Sequence, residues 1–521
     1  MPHPAMATGP SHIVEDQSAV FTFLEDPATH GVAVTRIDTH GAAVFLVGAD
    51  AYKVKRAVRF PFMDFSTLEK RRRACQAEVE INGPGAPGIY LGVTCIARDG
   101  DRLVLDGDGE VADFAVHMRR FDETLTLDRV AAAGGLEPGV IRDLVAAVHA
   151  SHARAPRRPG EPAAEALARY LDQNREAFAE QPDVFPAERA DRLVRRSKAE
   201  WTRLRPLLMA RGEAGYARRC HGDLHLRNIV LIDGRPTLFD AIEFDDGIAT
   251  GDVLYDLAFL IMDLWERGLR QEAGAVLSRY LWSADPGMIG GLEALPLVLS
   301  IRATIRAKVV AAGLSHLVEA ARPSVLDEVH RYFDLAEATL EPVAPVVVAV
   351  GGLSGTGKST LAAEIAPFLG RIPGAVHLRS DVIRKRLAGV GETERLPSAS
   401  YTPEATAAVY RALRSEAAAV LRTGASVIVD AVHARPDERD AVAAVAADAG
   451  VRFVGIWLAA PLAVLTGRVA ARRDDASDAT PEVVRGQAAR ETGRMDWATI
   501  DAAGARADVL AAARSLLDAP P

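Results

Sequence analysis

Cysteine is scarce in this chain. Cys75, Cys95 and Cys220 are the three among 521 residues, far apart and at no metal-ligand spacing. That speaks against a disulfide framework and leads us to expect a reduced chain with incidental thiols. A basic surplus is missing too. Lys and Arg number 61 against 70 Asp and Glu, a net charge of −9, so no nucleic-acid partner is expected. No run approaches the ~18 apolar residues of a membrane span, so no membrane partner is expected either. The opening MPHPAMATGPSHIVEDQ lacks the basic start and apolar run of a signal peptide, which makes a cytoplasmic location the expectation. No period of roughly 20–50 residues recurs. What remains is a globular composition, 49% hydrophobic and 25% charged, in a chain too long for one ordinary core.

The front of the chain alternates in a way that predicts strands: VAVTRID, AAVFLVG and AYKVKRAV between 32 and 58, joined by the polar turns THG and GAD. A helical pattern follows in STLEKRRRACQAEVEIN (66–82). LGVTCIA, RLVLDG and ADFAVHMRRF then predict further strands. Helical patterns dominate from about Leu125 to Leu340, broken at 218–245. The expected organisation is a small sheet-rich lobe over 1–120 and a mostly helical lobe over 121–339. LEPVAP (340–345) reads as a linker, because its prolines cannot continue a helix. Beyond it VVVAV, AVHL, SVIVDA and VRFVGIWLAA are short apolar runs separated by helical stretches, the pattern of a doubly wound α/β domain over 346–521.

GGLSGTGKST (351–360) satisfies G-x-x-x-x-G-K-[ST] through Gly352, Gly357, Lys358 and Ser359, between an apolar strand and a helix. Backbone N–H groups of such a loop wrap phosphates, so Ser354, Gly355, Thr356 and Thr360 join the candidate nucleotide contacts. Lys358 suits the β- and γ-phosphates and Ser359 suits Mg²⁺. Asp381, expected to close the second strand, is a candidate base for an acceptor hydroxyl; a helix N-cap is the alternative. Arg384 is a candidate holder of a substrate anion. Asp430, ending SVIVDA, is the candidate second ligand for Mg²⁺, with a plain turn residue as its alternative. Arg468, Arg472 and Arg473 lie in a segment that suits a lid over phosphates, or else a solvated helix face.

A second set of residues suits phosphoryl transfer in another way. In HGDLHLRN (221–228) Asp223 is placed to take a hydroxyl proton, and Asn228 to hold Mg²⁺. Asp240, in TLFDAIEFDD, follows at the end of an apolar strand and is a candidate for bridging Mg²⁺ to phosphates; Glu243 either assists or faces outward. His221 is expected to brace the loop. A lysine on a small-lobe strand is also needed, held by a helix glutamate. Lys53 and Lys55 share a strand face, and Lys53 is the first choice, with Glu78 as its partner. The strand around Met118 is expected to join the lobes and meet adenine. Arg302 and Arg306 of IRATIRAKVV stand one turn apart and are read as a solvated helix face, with contact to an anionic substrate as the alternative.

The order of Lys, Glu, linking strand, HGDxxxxN and strand-end Asp resembles the aminoglycoside phosphotransferase and choline kinase superfamily over about 30–330, and GDVLYDLAFLIMDL (251–264) resembles its following segment. The resemblance implies that Asp256 pins the loop. One departure stands out, since only THGAA (39–43) occupies the place of a glycine-rich phosphate loop. The rear half, through GLSGTGKST, SDVIRK and VIVDA, resembles gluconate kinase, zeta-toxin and polynucleotide kinase ATP domains over roughly 345–515. Together the halves resemble bacterial bifunctional aminoglycoside phosphotransferase and ATP-binding proteins. That implies an α+β two-lobed kinase-like domain followed by an α/β P-loop domain with a parallel sheet. It also implies ATP and Mg²⁺ as cofactors and a small hydroxylated acceptor such as a sugar, polyol or aminoglycoside. The main rival expectation is a single active P-loop kinase regulated by a sensing front domain; a toxin-like or nucleic-acid end-modifying kinase and an antibiotic-resistance enzyme stand behind it.

Overall fold

The structure, a computed structural model, describes residues 12–60, 63–314, 319–473 and 475–518. The first eleven residues, read above for a signal peptide, lie outside these, as does Asp474 of the arginine-rich segment. The chain divides into two compact units, 1–263 with 298–336, and 264–297 with 337–521.

Unit 1 begins with an antiparallel sheet whose strands run, in spatial order, Val34–Asp38, Ala42–Val47, Asp50–Lys55, Val111–Arg119, Tyr90–Asp99 and Arg102–Leu105. Period-two alternation sets its two faces. Ala43, Phe45, Val47 and Val54 point into one apolar layer with Ile96, Ala115 and the helix Ser18–Glu25, which the sequence reading had not marked. Lys53 and Lys55 therefore point to the opposite side, toward the helix Leu68–Asn82. That helix starts at Thr67, whose hydroxyl caps the Lys70 N–H, and it buries polar side chains: Arg71, Glu78 and Asn82. Helices Leu127–Gly134, Pro138–Arg154, Gly160–Glu180 and Ala187–Glu213 follow, and the break expected at 218–245 holds the hairpin Ile229–Ile232 with Arg235–Leu238. The helix Val253–Glu266 comes next.

Unit 2 is built on a five-stranded parallel sheet in the order Val376–Arg379, Val427–Asp430, Val346–Gly352, Arg452–Ala459 and Ala498–Asp501. Val347 to Val350 are wholly buried, as strands covered on both faces must be. The first strand in the chain lies third in space, so the connections leave it in both directions. Such a switch point opens a crevice at the strands' carboxyl ends, where ligands bind. The fifth strand, ATID at 498–501, was not expected. The P-loop helix is shorter than its pattern suggested, Lys358–Ile365, because Pro367 turns the next residues into a 3₁₀ turn. A larger departure concerns Leu264–Leu297. Sequence order placed this stretch in the helical front lobe, but it assembles with unit 2, where the helix Arg270–Ser283 packs along the edge strand Val376–Arg379. No single helix among the described residues is long and apolar enough to cross a membrane.

Candidate active sites

The front site draws on four segments of unit 1. Glu78, wholly buried, accepts from both strand lysines, Oε1 from Lys53 Nζ (2.8 Å) and Oε2 from Lys55 Nζ (2.5 Å). Beyond Glu78 the two lysines part. Lys53 continues to Asp240 Oδ1 (2.5 Å), a carboxylate left 43% exposed. Lys55 continues to Glu243, and that pair is buried at 2% and 5% exposure, so Glu243 does not face outward. Burial works against the Lys53 charge, but Asp240, Glu78 and Glu243 outweigh it and hold its pKa well above the usual lysine value. Burial likewise works to raise Asp240; Lys53 overrides it and keeps the carboxyl below its usual range.

Asp240 adopts a left-handed backbone (φ 61°), a conformation that costs a non-glycine residue energy and must be held by its surroundings. Its N–H donates to Tyr90 Oη (3.0 Å), and the next N–H, of Ala241, donates to Asn82 Oδ1 (2.8 Å). The loop 221–228 is braced just as firmly. Asp256 accepts from the N–H of Gly222 (2.8 Å) and of His221 (3.3 Å), and Asp263 accepts from that of Leu226 (3.0 Å). His221 packs inside with Nε2 3.0 Å from the Phe239 carbonyl. At the tip, Asp223 Oδ2 accepts from Asn228 Nδ2 (3.0 Å) and lies 3.2 Å from His225 Nε2. Burial would raise Asp223, but His225, His221 and Arg306 hold it below the usual carboxylate range. Asp223 in turn acts on Asp240 as a neighbouring like charge. Lys53, Glu78, Asp223, Asn228 and Asp240 are thus brought together. Met118 pairs across the sheet with Ala51 and with Tyr90, and packs beside Ile89 and Phe239.

The rear site lines a cleft of ≈ 1070 Å³ at the carboxyl ends of the parallel strands. Gly352, Gly355 and Gly357 all take positive φ, at 137°, 89° and 90°. A Cβ at Gly352 would lie 2.5 Å from the Leu458 carbonyl, and one at Gly355 2.7 Å from that of Leu465, so the loop requires glycine at both. The helix Lys358–Ile365 starts there and turns its unpaired first N–H groups toward the cleft. Lys358 Nζ donates to the Leu353 carbonyl (3.1 Å) and makes no ion pair among the described residues. Burial lowers its pKa, with Asp430 and Asp381 opposing. A half-buried cation with no carboxylate at ion-pair distance, in a glycine cradle open at Gly357, fits a phosphate chain. Ser359 Oγ donates to Asp430 Oδ2 (2.6 Å), so the two oxygen ligands suited to Mg²⁺ already stand side by side. Kinase families generally use ATP with Mg²⁺.

Asp381 lines the cleft, but it does not end the strand. The strand stops at Arg379, and Asp381 occupies the first turn of the helix Ser380–Leu387, with Arg379 as the capping residue. Burial, aided by Asp430, raises its pKa against the pull of Arg379 and Lys358. Arg384 lines the cleft, donates to the Ser400 carbonyl (2.8 Å) and lies over the Tyr401 ring. Ser354 and Thr360 line it as well, whereas the Thr356 hydroxyl turns back to the Leu353 carbonyl. Arg468 and Arg472 separate. Arg472 lies just past the helix Leu462–Ala471 in extended backbone and lines the cleft; Arg468, inside the helix, donates to the Ala502 carbonyl instead. Arg473 donates to the backbone carbonyls of Ala470 and Arg472.

Sequence reasoning missed several residues. Arg379 and His377 alternate along one strand, and both reach toward Asp430, a period-two signal that was open to reading. Asp478 accepts from Lys385 Nζ (3.0 Å), Tyr401 Oη (2.6 Å) and the Leu396 N–H (3.1 Å), which ties the loop before Tyr401 to the arginine-rich segment; no local pattern announces this. Arg302 is not on a solvated face. It is buried with its guanidinium over the rings of Tyr255 (3.8 Å) and Phe259 (4.7 Å), and Arg306 lies over Tyr332.

Residues 104–289 match the model of the Phosphotransferase enzyme family, and residues 347–493 that of an AAA domain family. Among solved structures, a choline/ethanolamine kinase family protein from Mesorhizobium loti is 13% identical. It covers 62% of this chain and 97% of its own, at a TM-score of 0.38. A sugar kinase from Janibacter sp. HTCC2649 is 22% identical and covers 34% and 95%, at 0.26. Uncharacterized protein Mb2027c of Mycobacterium bovis and Uncharacterized protein Rv2004c of Mycobacterium tuberculosis are each 31% identical over 493 residues, 92% of this chain and 94% of theirs. With that likeness running through nearly the full length of both chains, the protein belongs to the family of Rv2004c, as a phosphotransferase enzyme that carries a phosphotransferase-family module and a P-loop kinase module in one chain.

Proposed function

We propose that both modules transfer the γ-phosphoryl group of ATP to a hydroxyl of a small molecule, each with its own Mg²⁺. The observation that carries this reading is Lys53 bridging Glu78 and Asp240 beside the Asp223–Asn228 pair, in a chain that also has a P-loop. In the front module Lys53 steadies the phosphates, Asn228 and Asp240 hold the metal, and the strand around Met118 meets adenine. In the rear module the loop from Gly352 to Thr360 cradles the phosphates, with Lys358 and Arg472 against their charge, and Ser359 and Asp430 hold the metal. Bound Mg²⁺ supplies neutralisation of phosphate charge. Asp223 or Asp381 orients the acceptor hydroxyl and takes its proton. The acceptor oxygen forms its bond to the γ-phosphorus as the bond to the β,γ-bridging oxygen breaks, and ADP leaves with that electron pair.

The rear acceptor is a hydroxylated molecule with an anionic group, such as a sugar acid or a phosphorylated polyol. Arg384, Arg411 and Arg414 line the cleft, and Arg411 and Arg414 make no ion pair among the described residues. The test is ADP release from a panel of sugars, sugar acids, polyols and aminoglycosides, using wild type, Asp223→Asn and Asp381→Asn. Each variant should lose turnover with its own set of acceptors. Unchanged ADP release in both variants with every accepted compound would overturn the reading.

A further inference from the structure

The helix Arg270–Ser283 lies within the stretch matched by the Phosphotransferase enzyme family, yet it forms part of unit 2. It covers an edge. Val376–Arg379 is the outermost strand of the parallel sheet, and an edge strand leaves alternate N–H and C=O groups unpaired. The Val376 N–H points inward to the Ser426 carbonyl (2.9 Å), so the backbone groups of His377 point outward. One helix takes both: Ser278 Oγ accepts from the His377 N–H (3.1 Å), and Trp282 Nε1 donates to the His377 carbonyl (2.9 Å). Arg279 lies over the Trp282 ring and pairs with Glu392 (2.5 Å), which anchors the indole further.

The His377 side chain works on the other side of the strand. Its Nε2 lies 3.1 Å from Asp430 Oδ2, the same oxygen that accepts from Ser359 Oγ. Oδ1 makes no hydrogen bond among the described residues. A carboxylate held at one oxygen from two directions presents its other oxygen in a fixed orientation, which is how outer partners tune a metal ligand.

We propose that Ser278 and Trp282 are positioning residues for the rear site, acting through His377 to aim Asp430 at the metal. A helix that sequence order assigns to the front module is thereby a working part of the P-loop site. This rests on the proposed Mg²⁺–nucleotide reading of that cleft.

The test uses full-length protein carrying Lys53→Met and Asp240→Asn, which removes both the phosphate lysine and the metal carboxylate proposed for the front site, and calorimetric titration with ADP in MgCl₂ and in EDTA. The ratio of the two affinities is the metal-dependent gain. His377→Leu should cut that gain about tenfold with the EDTA affinity unchanged, and His377→Gln, which keeps a donor, should restore most of it. Trp282→Phe and Ser278→Ala should each cut it severalfold. An unchanged gain in Trp282→Phe and His377→Leu overturns the proposal. So does an equal loss with and without Mg²⁺, since that marks only a damaged sheet edge. If His377→Leu does not fold, Trp282→Phe, which keeps an aromatic side chain and removes the indole N–H donor, decides alone. Failure of the parent protein to bind ADP in either buffer would instead sink the reading of the cleft itself.

Discussion

The two candidate sites arrange their charged side chains in opposite ways. In the front site every cation is already answered: Lys53 and Lys55 share Glu78, and each has a second carboxylate, Asp240 or Glu243. In the rear site Lys358 meets a carbonyl and no carboxylate at ion-pair distance. The front site gathers its residues from positions as far apart as 53 and 240, and its lysines and carboxylates meet as ion pairs across that separation. The rear site takes its lysine and its glycine cradle from one contiguous loop, shaped by glycines and a helix end, while Asp381, Asp430 and Arg472 join it from later segments. Preorganisation by ion pairs and preorganisation by backbone solve the same problem, and they should break differently.

The sharpest way to separate them is to remove one residue from each. Lys358→Ala should lower rear-site turnover by about 10³-fold and leave front-site turnover intact, and Asp223→Asn should do the reverse to a similar extent. Acceptor-specific ADP release checks this. Loss of both activities from either change would show that the sites do not work separately.

Next in size is the contrast between the two strand lysines. Lys55 is buried between Glu78 and Glu243, so Lys55→Met should leave carboxylates unpaired in the interior and cost about 3–5 kcal/mol of stability. Lys53 lies nearer solvent and faces the partly exposed Asp240, so Lys53→Met should cost less stability and more front-site turnover. Thermal unfolding beside front-site kinetics checks this. Equal stability losses would remove the distinction between a structural and a functional lysine.

A smaller effect separates the two proposed bases, Asp223 and Asp381. A base acts deprotonated, so activity is present above its pKa and lost as pH falls through it. Burial raises Asp381, while His225, His221 and Arg306 override burial and lower Asp223. The acid limb of rear-site turnover should therefore lie at higher pH than that of the front site. Coincident acid limbs for acceptors specific to each site would contradict this.

How much of this was open to sequence reading follows from the same contrast. The P-loop is local, with spacing, flanking strand and following helix all inside some twenty residues, so Gly352 to Thr360 could be named directly. The front site was legible through the order of its pieces, because a period-two strand puts Lys53 and Lys55 on one face and a helix follows to supply Glu78. Sequence could not choose between the lysines, because the choice depends on whether Asp240 or Glu243 waits across a separation of nearly two hundred residues. The helical pattern of 270–283 was visible, but periodicity says that a helix buries one face and not which sheet it covers. Arg302 misled for a related reason: Ile301, Ala303, Thr304 and Ala307 are buried all around it, and the aromatic faces that receive its guanidinium come from a distant helix. The strand Ala498–Asp501 is too short and too polar to stand out.

His433 gives a last contrast, in acid sensitivity, that is confined to the rear unit. It follows the strand Val427–Asp430, is almost wholly buried, and packs edge-on against Tyr410 and Trp497 with a left-handed backbone (φ 48°). Burial pushes its pKa from 6.5 down to about 3. Between those values the unfolded chain binds a proton there and the folded chain does not. Stability of the rear unit therefore rises with pH across that window and is lost as pH falls below 6.5, by at most about 1.4 kcal/mol per pH unit from this residue. Asn tolerates the left-handed backbone and does not titrate. His433→Asn should lower stability at neutral pH through lost packing, yet flatten its decline between about pH 6 and 4 by that amount. Thermal unfolding across the range measures the slope. A decline as steep in His433→Asn as in wild type would mean that this histidine is not the group whose burial sets the acid sensitivity of the rear unit.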